Sequence, residues 1–486
     1  MKLFPARTAV QIACACLLGA TNLPVAPAPP EAGPTAPQQL HAANPSGVAL
    51  TLHTSGRIDL ANPFFQSLGI NGRTCASCHQ AQEGWTITPA GVRKRFVASQ
   101  GTDPIFRLND GANSPLADVS TLEAREKAYS MLLDKALIRV GIGIAPDAQF
   151  ELAAADDPYG FASAGELSLF RRPLPTTNLR FLSTVMWDGR ETFRSDTSTD
   201  CLFGTMVCFA PLHFDLSIQS NSATVGHAQA AAPLGDAQRQ AIVDFQLGLF
   251  TAQIEDRSAG RLNVLGASGG PSFLPLQETY FGINDTLVGD YRTHAPFTPL
   301  VMTLYGAWDS VIPNANANDA AGRDRNVAVA RRAIARGQAL FNGKPIAIAG
   351  VKGINDDLGI AVLQGTCTTC HNTPNAGNHS TPMPLDIGLA DAARRTPDMP
   401  LYTLRNKATG ETVQTTDPGR ALVTGRWQDI GRFKGPTLRA LAARAPYFHN
   451  GSAPDLRSAV KFYDERFGIG LTEQETQDLV SFLSAL

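Results

Sequence analysis

An excess of charge of either sign is missing from this chain. Lys and Arg number 41 against 43 Asp and Glu, for a formal net charge of −2. That balance leaves no basic footprint for nucleic acid. Charged residues in total make up only 17%, and aromatics 7%. After the N-terminal stretch, no apolar run is long enough to cross a bilayer as a helix. Histidine is absent between His79 and His213, so that segment offers no imidazole as ligand or base.

Against this background two short strings stand out, Cys75-Ala76-Ser77-Cys78-His79 and Cys367-Thr368-Thr369-Cys370-His371. Each is a C-x-x-C-H pattern, the c-type haem attachment signature. Two thiols about one helical turn apart can each form a thioether to a vinyl group of one haem. The histidine that follows then lies where its imidazole can bind the iron. A lone C-x-x-C could be a redox dithiol or half a zinc site, but zinc needs further paired ligands at fixed spacing. Two copies that both end in His predict two covalently bound c-type haems, on Cys75 and Cys78 and on Cys367 and Cys370, with His79 and His371 as iron ligands. Sparse charge and few aromatics suit a compact protein whose cofactor fills part of the core.

Of the eight cysteines, Cys14 and Cys16 lie in the N-terminal stretch and Cys201 and Cys208 remain. The last two can close a small disulfide loop in an oxidising compartment, or stay as buried thiols. Lys2 and Arg7 precede an apolar run from Ala9 to Ala20, the form of a secretory signal. Residues 1–26 are therefore expected to be a signal peptide, and 27–46, rich in Pro and Ala, a linker. Haem is attached to thiols outside the cytoplasm, so a periplasmic location is expected. Residues 47–325 should form an N-terminal haem domain with insertions, and 326–486 a C-terminal cytochrome c-like haem domain. The expected fold is mainly α: two cytochrome c-like haem domains, with long loop-rich insertions in the N-terminal half. Helices are predicted at 121–139, 324–341 and 473–486, the last opened by a Thr472–Glu475 capping box.

Three further strings carry a family resemblance. They are Met186-Trp187-Asp188-Gly189-Arg190, Phe433-Lys434-Gly435-Pro436-Thr437-Leu438-Arg439 and Ala445-Pro446-Tyr447-Phe448-His449-Asn450-Gly451. They resemble the W-D-G-R and P-T-L-R…A-P-Y-F-H-x-G signatures of the bacterial dihaem cytochrome c peroxidase and MauG superfamily, and within it the BthA-type group. The resemblance implies a peroxide-reactive N-terminal haem with His79 as proximal ligand, and an electron-handling C-terminal haem with His371. It also implies that Trp187 relays electrons between them. Without the resemblance Trp187 reads as a packed aromatic.

The chain departs from the family pattern at several places. Where dihaem peroxidases have a Met ligand to the second haem, this chain has Tyr463, as MauG-type proteins do. Leu456, Ala459, Val460, Tyr463 and Phe467 fall on one helical face, so Tyr463 is expected either to ligate the second iron or to pack as a core phenol. Met383 and Met399 are read as surface or core. The resting-state His that blocks the first haem in many relatives is replaced by Arg95, which implies an open first iron. Gln219 matches the distal Gln of the family. Ten residues on, where the family has Glu, stands Gln229. A neutral amide is no base, so His227 is the preferred distal acid–base residue, with His213 as runner-up; a hydrogen-bonded loop histidine is the other reading. A family calcium site would use backbone carbonyls at Arg444 and Pro446, but its Asn position is Arg172, with Asn178 displaced. Calcium is carried forward as a possible cofactor.

The expected function is that of a periplasmic dihaem enzyme. It would react with hydrogen peroxide at the first haem and share oxidising equivalents with the second through Trp187, as a peroxidase or a MauG-like oxidase. Its electrons would come from an electron-donor redox protein or a protein substrate. The alternative is a dihaem electron-transfer cytochrome without peroxide chemistry, which needs both irons closed.

Overall fold

The computed structural model describes residues 38–202, 205–310 and 320–486. The expected signal peptide and the first part of the expected linker lie outside the described residues. The linker also ends sooner than expected. Gln39–Asn44 is a strand, paired with Gly47–His53 in a tight hairpin. Here the chain alternates enough apolar side chains (Leu40, Ala42) to cover a buried neighbour.

The mainly α expectation is corrected. The model is 31% helix and 18% strand. Among the described residues the largest sheet is antiparallel, in the order Gln39–Asn44, Gly47–His53, Leu249–Asp256, Gly260–Arg261. Its third strand, Leu249–Asp256, follows a helix without a loop, and its first six residues are buried. Pairing with the distant strand Gly47–His53 decides that this stretch is a strand. A second sheet joins Phe150–Asp156 to Leu401–Asn406, residues more than two hundred positions apart, with Thr412–Thr415 on the far edge. It therefore ties the two halves of the chain together around a core of Phe150, Leu169, Tyr402 and Leu404.

The predicted helix 121–139 is two short helices, Leu122–Ala128 and Ser130–Lys135, broken at Tyr129, and a strand from Ile138. The other two helices form. Ala320–Gly343 packs antiparallel-style against Glu473–Ser484, burying Ile334, Phe341, Leu479 and Phe482. The Thr472–Glu475 capping box is present, closing the first turn of the last helix. Leu456–Phe467, capped by the Asp455 carboxylate accepting from the Ser458 N–H, leans on the same core.

Two further helices position the N-terminal site. Leu212–Gly226 and Asp236–Gly248 pack together, and the first directly follows a hairpin of Asp200–Leu202 and Val207–Phe209. Cys201 and Cys208 face each other in that hairpin and form a disulfide, which resolves the open choice between bridge and free thiols.

Candidate active site

The two C-x-x-C-H strings build nearly the same small structure. Each opens on a single 3-10 turn, Cys75–Ser77 and Cys367–Thr369. In each, the hydroxyl three residues after the cap accepts the cap's own N–H: Thr74 N–H to Ser77 Oγ, and Thr366 N–H to Thr369 Oγ1, both at 3.0 Å. Each histidine uses Nδ1 on the carbonyl six residues on. His79 bonds Trp85 O at 3.1 Å, and His371 bonds Gly377 O at 2.5 Å. Nδ1 therefore carries the proton and Nε2 is left as the lone-pair nitrogen. Burial pulls both imidazoles down to about 4, so both are neutral, as a metal ligand must be. Phe64 packs beside His79 and Phe341 beside His371.

Each motif opens onto a large cavity. The first is lined by Cys75, Cys78 and His79, and by one stripe of the helix Leu212–Gly226 with its cap: Leu216, Gln219, Ser220, Ala223, Thr224 and His227. Gln219 and His227 are thus brought to the same cavity as His79. The His227 Nδ1 is paired with Asp110 Oδ2, and Arg73 holds the other carboxylate oxygen. Burial opposes ionisation of Asp110, but His227 and Arg73 outweigh it and hold its pKa below the usual range. An ionised Asp110 can only accept, so Nδ1 donates and Nε2 remains available to the cavity.

The other distal candidates lie elsewhere. His213 is half-buried and bonds Gln240, and does not line the cavity. The Gln229 side chain bonds Asn71. Arg95 is held by Asp103 and by the Ser77 carbonyl, and is not among the lining residues.

The second cavity is lined by Cys367, Cys370 and His371, and otherwise mainly by apolar side chains. Leu456, Ala459, Val460, Tyr463 and Phe467 all line it, so the helical face expected from sequence is the one turned inward. Tyr463 sits among Phe448, Phe462 and Phe467. Burial raises its pKa, and the nearby Cys370 and Cys367 add to the rise. Met399 is buried in a separate cluster with Met131, Leu137 and Phe170, and neither it nor Met383 lines the cavity.

Trp187 lines both cavities. Its indole N–H donates to the Arg172 carbonyl at 2.8 Å, and the Lys434 N–H donates to its own carbonyl at 2.9 Å. Gly189 supplies the left-handed turn after it (φ +72°); a Cβ there would meet the Arg420 guanidinium at 2.8 Å. Below the turn, Arg171 is fully buried between Asp188 and Asp417.

Three residues escaped the sequence reading. Lys434 lines both cavities, and burial pulls its amine down to about 7. Its Nζ donates to the Thr184 carbonyl at 2.7 Å. His449 lines the second cavity, stacks on Phe433 at 3.9 Å and meets the Trp187 ring edge-on at 6.2 Å. It is 1% exposed, yet neither ring nitrogen has a partner. Asp110, the partner of His227, is 117 positions away in sequence. Lys434 and His449 lie inside the motif strings, which was the available signal; Asp110 had none.

Haem fits both cavities. Each offers two thiols outside any disulfide, a neutral imidazole with Nε2 free, and an apolar wall; the second adds the Tyr463 phenol and the unpartnered His449 ring. Calcium does not fit its family position. The Arg172 guanidinium donates to the carbonyls of Arg444, Ile87 and Lys135, at 3.0, 2.7 and 3.1 Å. Asn178 instead bonds Thr251 in the large sheet. Among the described residues, no group of three or more His, Cys, Asp or Glu could hold a metal ion.

Sequence comparison finds relatives over part of the chain. The cytochrome-c peroxidase IdrP1 of Pseudomonas sp. (strain SCT) is 33% identical over 171 residues, covering 31% of this chain and 39% of that protein. The cytochrome c peroxidase Ccp of Escherichia coli (strain K12) is 41% identical over 76 residues, 15% of this chain and 16% of that protein. The cytochrome c551 peroxidase of Pseudomonas aeruginosa is 28% identical over 127 residues, 26% and 32% of the two chains. The chain thus spans about two-fifths or less of the length of these relatives. No family model matches it. Among solved structures, a MauG-like protein associated with microbial copper homeostasis superposes with a TM-score of 0.37 at 16% identity. It covers 87% of this chain and 86% of that one, too loosely to define a shared fold.

Proposed function

We propose that this relative of the bacterial cytochrome c peroxidases is a periplasmic enzyme that carries two c-type haems and reduces hydrogen peroxide. Residues 47–325 would hold the reactive site and 326–486 the electron-handling site. The two haems would be bound by Cys75, Cys78 and His79, and by Cys367, Cys370, His371 and Tyr463. When bound, they supply an iron that takes peroxide in the first cavity and redox capacity in the second. The periplasmic assignment rests on the leader and on where haem is attached. Among the described residues, no helix is long and apolar enough to cross a membrane.

The observation that carries this reading is the shared position of Trp187. It lines the cavity that holds Gln219 and His227, and also the cavity that holds Tyr463. In the first cavity, His227 Nε2 would take a proton from one peroxide oxygen and return it to the other, while Asp110 fixes the ring. Gln219 would orient the peroxide as a neutral donor. Trp187 would split one long electron transfer into two shorter ones. Electrons would enter from a small redox protein or from an oxidised protein side chain.

Mixing the all-ferric protein with peroxide in a stopped-flow instrument tests the reading. A spectral change without prior reduction is expected, because Arg95 is tied to Asp103 and Ser77. Trp187→Phe should keep that first change and lose the response of the second haem. No reaction until an electron is supplied would overturn the open first site.

A further inference from the structure

No Asp or Glu is among the residues that line either cavity, yet cations line both. In the first, Arg73 is paired with Asp110, Arg171 with Asp188 and Asp417, and Arg190 with Asp188. Arg172, in the wall common to the two, is spent on three backbone carbonyls. Two cations are left over. Lys434 lines both cavities, and Arg444 lines only the second. They are 6% and 7% exposed. Among the described residues no carboxylate is close enough to raise the pKa of either; burial lowers both, offset at Arg444 only by the Tyr447 phenol.

The spare donors can be counted. An ammonium has three N–H groups, and Lys434 Nζ gives one to the Thr184 carbonyl at 2.7 Å. Two remain, in the wall between two cavities. Arg444 Nη2 donates to the Thr437 carbonyl at 2.8 Å, while its buried Nε has no partner. His449, lining the second cavity, adds two unpartnered ring nitrogens. The backbone holds these groups in place. Phe433 and Leu385 exchange both their hydrogen bonds, at 2.9 and 2.7 Å, and the Lys434 N–H donates to the Trp187 carbonyl. His449 stacks on Phe433. A buried cation without a counter-ion is strongly disfavoured, so donors placed this way call for an anion. The haem that fits each cavity carries two carboxylates.

We propose that Lys434 is a counter-ion shared by the two haem sites. The two spare N–H groups of its ammonium take one haem carboxylate from each cavity. Arg444 and His449 hold the other carboxylate of the second haem. A single positive charge then acts on both irons, raising the two reduction potentials together. The inference rests on the reading that both cavities hold haem.

Redox titration of the haem-loaded full chain tests the sharing, at about pH 6, where the Lys434 amine is charged even without a partner. Lys434→Met removes the charge and keeps the length of the side chain. Both midpoint potentials should fall, because ferric iron gains most when a nearby positive charge is lost. Each fall should be roughly tenfold in the one-electron equilibrium constant, or about 59 mV. Arg444→Met should lower the second potential alone. A fall at one haem only in Lys434→Met, or at neither, overturns the shared counter-ion. Should Lys434→Met fail to mature with both haems, wild type carries the test. With 13C in the haem carboxyl carbons, infrared difference spectra of each one-electron step should show isotope-shifted bands of ionised carboxylate. Shifted bands of protonated carboxyl in either step overturn the proposal. If wild type carries fewer than two haems, the underlying reading fails instead.

Discussion

The two C-x-x-C-H sites are alike beneath the expected haem and unlike above it. Beneath, the same 3-10 turn, the same hydroxyl-capped amide and the same bond from Nδ1 to a carbonyl six residues on are built twice. Above, the first cavity is edged by Gln219, Ser220, Thr224 and an Asp110-anchored His227. The second is edged by Leu385, Leu456, Val460 and Leu479, with the phenols of Tyr447 and Tyr463. The repeated half is what attachment chemistry demands. On the function proposed above, the divergent half would set the division of labour: Gln219 and His227 beside the first motif would serve proton transfer, and a phenolate from Tyr463 beside the second would tune a potential.

The largest effect should come from breaking the shared half. Cys75→Ala and Cys367→Ala should each lose covalent attachment of one haem and leave the other, read by mass spectrometry of the matured protein. Fewer than two haems on wild type would remove the basis of the comparison.

The distal contrast is sharpened at Tyr463. Tyr463→Met should raise the potential of the second haem by some hundreds of mV, within the about 0.8 V that axial ligands span. Tyr463→Phe should open that iron to added ligands. Redox titration and electron paramagnetic resonance of the three proteins decide it, and unchanged potentials and spectra would make Tyr463 a packed ring.

Arg171→Leu leaves Asp417 a buried charge without its cation and Asp188 held by Arg190 alone, and should cost about 3–5 kcal/mol in denaturant unfolding. Burial alone would raise the Asp188 pKa, but Arg171 and Arg190 hold it at about 2 against an ordinary 3.8. Its folded pKa is depressed, so its stabilisation is present above pH 3.8 and is lost as pH falls toward 2. Arg171→Leu should flatten that acid limb. The smallest effect belongs to the repeated turns. Ser77→Ala and Thr369→Ala each remove one hydroxyl acceptor and should cost about 1 kcal/mol, equally at both sites.

Much of the site was legible because its signals are local. The C-x-x-C-H spacing, the inward face of 456–467 and the Thr472–Glu475 box all fall within a few turns of chain. The W-D-G-R string likewise led to Trp187. What was missed depends on distant partners. The mainly α expectation failed because strands such as Leu401–Asn406 are defined by Phe150–Asp156, far along the chain. Asp110 gives no sign in sequence that it fixes His227. Lys434 and His449 were read as motif letters, although their burial between the two cavities is what makes them chemically unusual.

Arg172 carries a consequence of another kind. Three carbonyls from separate segments, at Ile87, Lys135 and Arg444, converge on its guanidinium. Burial and the neighbouring Arg444 cation lower its pKa only to about 9, so it stays positive at neutral pH. A free ion at such a junction obeys mass action: it departs when diluted or chelated, and the junction loosens with it. A cation fused to the backbone has no dissociation constant. The alignment of these three segments is therefore uncoupled from the divalent-metal supply of the surroundings, and a chelator has nothing there to remove.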